Sequence, residues 1–83
     1  MRDQWSRLCL SQPAVYRIAI GGSLDESWSA WFDDMALTME RREDGTTATI
    51  LTGTVRDQPA LHGLLARIRD LGLLLLSVER LAP

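Results

Sequence analysis

The stretch from Asp57 to Val78 constrains the fold of this chain more than any other part of it. Asp57 can cap a helix, and Pro59 falls in the first turn, where a missing amide hydrogen costs nothing. Leu61, Leu64, Leu65, Ile68 and Leu71 then recur at helical spacing along one face. Gly72 stands where a left-handed C-cap belongs, and Leu73 to Val78 reads as a buried fourth strand. A helix and strand in this order need a sheet to pack on.

The upstream half supplies one on a similar plan. Val15 to Ile20 alternates, with Tyr16, Ile18 and Ile20 on one face and Val15, Arg17 and Ala19 on the other. Gly21-Gly22 breaks this first strand, and Ser23 with Glu26 has the spacing of a capping box. Leu24, Trp28, Trp31 and Met35 follow at i, i+4, i+7 and i+11, with Phe32 beside them, which predicts a first helix. Ala36 to Arg42 reads as a second strand with Leu37 and Met39 inward, and Glu43-Asp44-Gly45-Thr46 as a hairpin turn. Thr47 to Val55 is a third strand, with Ala48, Ile50 and Thr52 expected inward and Gly53 marking a bulge. The expected fold is α+β: a ferredoxin-like split βαβ sandwich, β-α-β-β-α-β, with an antiparallel sheet ordered 4-1-3-2 and both helices on one face. Residues 15–83 form this one domain, and residues 1–14, which lack a clear period, read as a loosely attached arm.

Eighty-three residues suffice for one modest core. A net charge of −2, with arginines interleaved among the acidic residues and no lysine, argues against nucleic acid as a partner. Cys9 is the only cysteine, so an internal disulfide and a thiolate zinc cluster are both excluded. The longest purely apolar run, Leu73 to Leu76, is far too short for a membrane helix, and Met1 to Ser11 lacks a signal-peptide core. The expected setting is cytoplasmic.

Three pieces have distinctive wording: Gly22-Ser23-Leu24-Asp25-Glu26-Ser27-Trp28-Ser29-Ala30-Trp31-Phe32, Gly45-Thr46-Thr47, and Asp57-Gln58-Pro59-Ala60-Leu61-His62-Gly63-Leu64-Leu65 with Arg69-Asp70-Leu71-Gly72-Leu73. Together they resemble a family of small, functionally uncharacterised bacterial proteins sharing G-x-L-D-x-x-W-x-x-W-F and D-Q-x-A-L-H-G-L-L motifs. The resemblance spans roughly residues 16 to 79. It implies the fold and transfers no catalytic residue.

The candidate sites are weakly marked. His62 is the only histidine, and no Ser-His-Asp spacing or second histidine accompanies it, so it reads first as a boundary or helix-start residue. The pairs Asp33-Asp34 and Asp25-Glu26 point about 100° apart on a helix, so neither converges on a metal. Gly21-Gly22-Ser23 could hold an anion at a helix start, but it lacks any phosphate-loop pattern and Asp25 and Glu26 would repel one. Trp28, Trp31 and Phe32 read as core filler, with a ligand pocket as the alternative. Ala60, Gly63 and Ala66 make a small-residue stripe on the helix face opposite the leucines, where another backbone could approach.

The sequence therefore points to a non-catalytic interaction or regulatory module that self-associates or binds another protein. Its expected contact surfaces are the open sheet face, carrying Leu51 and Val55, the Ala60-Gly63-Ala66 stripe, or an edge strand. The alternative is a small-molecule sensor, with Gly21, Gly22, Ser23, Trp28 and His62 as its candidate residues. No enzyme activity, cofactor, metal, membrane or nucleic-acid contact is expected.

Overall fold

A computed structural model describes residues 13–33 and 35–82. Residues 1–12 of the expected N-terminal arm, Cys9 among them, and Asp34 lie outside the described residues, while Ala14, expected in the arm, opens β1 and is buried. The elements are β1 (Ala14–Gly21), a 3₁₀ helix (Glu26–Phe32), β2 (Ala36–Arg41), β3 (Thr47–Val55), α1 (Gln58–Asp70) and β4 (Leu74–Ala82). The fold is α+β, with a four-stranded sheet in the order β2-β3-β1-β4 and every neighbouring pair antiparallel. Those adjacencies are the expected ones.

The expected two-helix, ferredoxin-like β-α-β-β-α-β order is not what forms, because the first helix is a seven-residue 3₁₀ helix and α1 is the one α-helix among the described residues. Its cap is Asp25, not Ser23: the Asp25 carboxylate accepts from the Ser27 amide at 3.0 Å and also from the Ser27 hydroxyl. Two causes favour the tighter helix. Ser27, Trp28, Ser29, Trp31 and Phe32 are all poor α-formers. The crossover must also travel from the level of Ala48, opposite Gly21, to that of Thr52, opposite Ala36. That is about 14 Å at ~3.4 Å per strand residue. Seven residues rise about 14 Å as a 3₁₀ helix but only about 10 Å as an α-helix. Asp33, in the left-handed region at φ 55°, then turns the chain toward β2.

α1 has regular ends. The Asp57 carboxylate accepts from the Ala60 amide at 2.8 Å, with Pro59 in the first turn. At the other end the Gly72 amide donates to the Arg69 carbonyl and the Leu73 amide to that of Ile68, a Schellman closure around Gly72 at φ 74°.

The core lies between the helices and one sheet face. Tyr16, Ile18 and Ile20 from β1, Leu51 and Val55 from β3, Leu61, Leu64 and Ile68 from α1, and Phe32 and Met35 form one buried cluster. β3 is thereby turned over relative to expectation. Leu51 pairs with Ile18 and Leu37, so it shares their inward face, and Ala48 and Ile50 point outward. No bulge occurs at Gly53, since β1–β3 register is continuous across it. Glycine there permits a close approach instead: a Cβ would lie 3.1 Å from Met35 Cγ, which would have to shift by a few tenths of an ångström. The hairpin turn forms as read, with Gly45 at φ 87° and Asp44 accepting from the Thr46 amide at 2.9 Å and its hydroxyl at 2.6 Å.

The buried strand expected at Leu73–Val78 is instead an exposed edge strand, running on to Ala82. Its side chains are exposed because β1 is its single described neighbour and no second layer covers it fully.

Candidate functional site

β4 is where apolar side chains meet solvent. Leu74 (65 % exposed), Leu75, Leu76, Val78 and Leu81 are all open, with values no lower than the 39 % of Val78. The register explains the two-sidedness. Ile18 opposite Val78 and Ile20 opposite Leu75 set those two on the helix side, while Gly21 opposite Leu74 and Ala19 opposite Ser77 set these on the other. Register shifts insert Leu76 and Leu81 as extra residues. Between the shifts, Ser77 to Arg80 is regular, and Glu79 and Arg80 are the only charged residues of the strand. Long apolar edges are usually guarded by charge, proline or brevity. β4 spans nine residues with two adjacent charges. The opposite edge is shorter and better guarded: β2 has six residues, including Glu40 and Arg41.

The sheet face away from the helices is not the apolar surface expected there. Leu51 and Val55 are buried on the helix side, because their register with β1 turns them inward, and so neither can meet a partner. The residues that do point outward, Ala19, Ala48 and Ile50, form a small cluster of their own that is already buried. On the same face Arg17 pairs with Glu40 at 3.0 Å, and Arg42 lies 3.9 Å from Glu40. These partly exposed pairs contribute little net energy.

The candidate ligand residues are not brought together. Gly21 and Gly22 sit at the end of β1 beside Leu74 and Thr47, whereas α1 starts at the other end, where Gln58 Nε2 donates to Tyr16 Oη at 2.8 Å. His62, exposed in the first half of α1, is therefore remote from Gly21-Gly22-Ser23. Two amides of that loop are used internally. Gly22 donates to the Thr47 carbonyl at 2.9 Å, and Leu24 donates to Thr49 Oγ1 at 2.9 Å. Thr49, wholly buried, passes its own proton to the Gly22 carbonyl at 2.9 Å, so this polar group is satisfied on both sides. The loop is a strut more than a cradle.

Trp28 is half-buried and stacks on buried Phe32, ring centres 6.5 Å apart, while Trp31 is exposed. The two tryptophans stay neighbours, ring centres 6.4 Å apart and tilted by 44°, because side chains at i and i+3 line up in a 3₁₀ helix. Ala60, Gly63 and Ala66 also do not form one free surface: Ala60 packs against the core, Ala66 is half-buried and Gly63 faces open space.

A cleft of about 230 Å³ lies between Asp33, Met35, Thr54, Val55, Arg56 and Ala60. That is below the roughly 300 Å³ at which small-molecule sites begin. A second, of about 210 Å³, is bounded by Trp31, Asp33 and Arg67, where Arg67 donates to the Trp31 carbonyl at 2.9 Å and to the Asp33 carboxylate at 3.3 Å. Among the described residues no three His, Cys, Asp or Glu side chains gather to hold a metal, and no helix is long and apolar enough to cross a membrane. The Asp44 carboxyl is held below its ordinary range by the Thr46 hydroxyl and amide, with Arg42 adding a smaller pull.

The feature that sequence reasoning misplaced is thus β4. Its leucines read as interior because an apolar run carries no mark of lateral position in a sheet. The clue was the expected order itself, which put the most apolar strand at an edge.

Sheet, helices and edge together define a small α+β domain with an open-edged four-stranded antiparallel sheet. The chain belongs to the family described as a domain of unknown function (DUF8691), which matches residues 15–79, from the second residue of β1 through α1 and most of β4. No curated protein and no solved structure matches it.

Proposed function

We propose that this domain is a non-catalytic interaction module that self-associates, and that β4 is its contact element. The observation that carries the reading is the coincidence on one strand of a backbone edge unpaired among the described residues and five exposed large apolar side chains. Either feature alone is common; together they make a template for another strand. A core of this size is also marginal alone and gains from a partner, since burying a second apolar layer adds stability in proportion to area. The single cysteine supports a cytoplasmic setting, and the motif wording supports a bacterial source for the family.

The sensor reading has less support. Its candidate residues lie at opposite ends of the sheet, and the Asp33–Arg56 cleft is small.

Light scattering of the full chain from about 1 to 100 µM tests the module. A mass that rises toward twice 9.3 kDa with concentration is expected, together with a melting temperature that climbs with protein concentration by mass action. A constant mass of one chain across that range would sink the proposal. A thermal-shift screen of amino acids and nucleotides tests the sensor, since a ligand at 100 times its Kd adds about 2.7 kcal/mol.

A further inference from the structure

We infer that two copies pair antiparallel through β4 about a two-fold axis at Val78, joining their sheets into one of eight strands. This rests on the self-association reading above and adds its geometry. A closed pair of identical chains is isologous, so each β4 must meet itself. Extending a sheet edge to edge in antiparallel fashion needs an axis normal to the sheet, which places like faces on the same side. The register is then symmetric about one residue of β4.

The residues of β4 choose among the registers. An axis at Glu79 sets carboxylate against carboxylate, and one at Arg80 sets guanidinium against guanidinium, both unfavourable across a ladder. An axis at Ser77 sets Leu76 opposite the partner's Val78, but Leu75 opposite the partner's Glu79 and Leu74 opposite the partner's Arg80, two apolar–charged pairs. An axis at Val78 sets Val78 on its own copy, Leu75 against Leu81, Leu74 against Ala82 and Ser77 against Glu79, and leaves one apolar–charged pair, Leu76 against Arg80.

Two further observations favour Val78. It is the midpoint of Leu74–Ala82, so this register alone overlaps the full nine residues. It also lies in the regular segment between the two register shifts, where no extra residue distorts the ladder. The exposed apolar side chains of each copy would then flank the joint, Leu75 and Val78 on the helix side and Leu74 on the other.

Cross-linking across the axis tests the register. In a Cys9→Ser background, Val78→Cys places two thiols opposite each other, with Cβ atoms about 4.5–5.5 Å apart and within reach of a disulfide after small adjustment. Mild oxidation with oxidised glutathione should convert most of the chain to a covalent dimer on a non-reducing gel. Ser77→Cys and Glu79→Cys should each cross-link poorly alone but efficiently when mixed. Val78→Arg should weaken association at least ten-fold while leaving the far-ultraviolet circular dichroism unchanged. Dimers in light scattering without the Val78→Cys cross-link would overturn the register and leave self-association standing. A chain that is monomeric throughout would overturn both. A chain that dimerises through β4 only after residues 1–12 are removed would assign the edge to its own N-terminus and overturn the proposed pair.

Discussion

The first strand–helix–strand half of this domain and the second share a plan but differ in which parts they bury. In the first, the helix is short, 3₁₀ and made of poor helix formers, yet it sets Phe32 and neighbouring Met35 wholly in the core, and its strand β1 is central. In the second, α1 is regular and capped at both ends, yet the strand that follows is bare. Local regularity and burial are therefore decided separately. Caps and turns depend on residues a few positions apart; burial depends on which element lies beside the segment.

Core truncation in each half gives the largest test of that separation. Phe32→Ala should cost about 3–5 kcal/mol and Leu64→Ala about 2–5 kcal/mol in urea denaturation, despite their unlike helices. Leu76→Ser, on the exposed edge, should stay within about 0.5 kcal/mol at concentrations where the chain is monomeric. A Phe32→Ala loss under about 1 kcal/mol would show that the first half is not anchored as described. Next in size is Thr49→Val, which strands the Leu24 amide and the Gly22 carbonyl. It should cost about 1–3 kcal/mol, all from the first half.

The caps sharpen the contrast further. Asp57→Ala should lose about 1 kcal/mol of stability, while Ser23→Ala should be within about 0.5 kcal/mol because Asp25 holds the 3₁₀ start. Gly63 faces open space in mid-helix, so Gly63→Ala should stabilise by roughly 0.5–1 kcal/mol and raise the melting temperature. The smallest effect is at the hairpin. Asp44 titrates lower in the folded chain than in the unfolded one, so its contribution is present above about pH 4 and fades as pH falls through the folded value. Asp44→Asn should flatten the acid limb of stability against pH, and an unchanged limb would show the Thr46 contacts to be idle.

Much of the fold was legible in single residues. Asp57, Pro59 and Gly72 mark α1, Asp44-Gly45 marks the turn, and Tyr16-Ile18-Ile20 marks the buried face of β1. Each works through backbone geometry or short-range hydrogen bonds, which neighbours in sequence control. The face of β3 was not legible, because Ala48-Ile50-Thr52 and Leu51-Val55 are both plausible inward sets. Choosing between them takes the cross-strand register with Ile18 and Leu37. Nor was the 3₁₀ helix, whose pitch answers a span between strand ends that no window of sequence contains.

The sequence by itself determined the positions of strands, turn and capped helix, since those rest on torsional preference, capping chemistry and periodicity. Tertiary structure alone decided that Leu51 faces the core, that Ala48 and Ile50 face away from the helices, and that Leu74 to Leu81 lie at an edge. Burial is a relation between elements distant in the chain, so the most apolar strand of this protein reads as interior and stands at its surface.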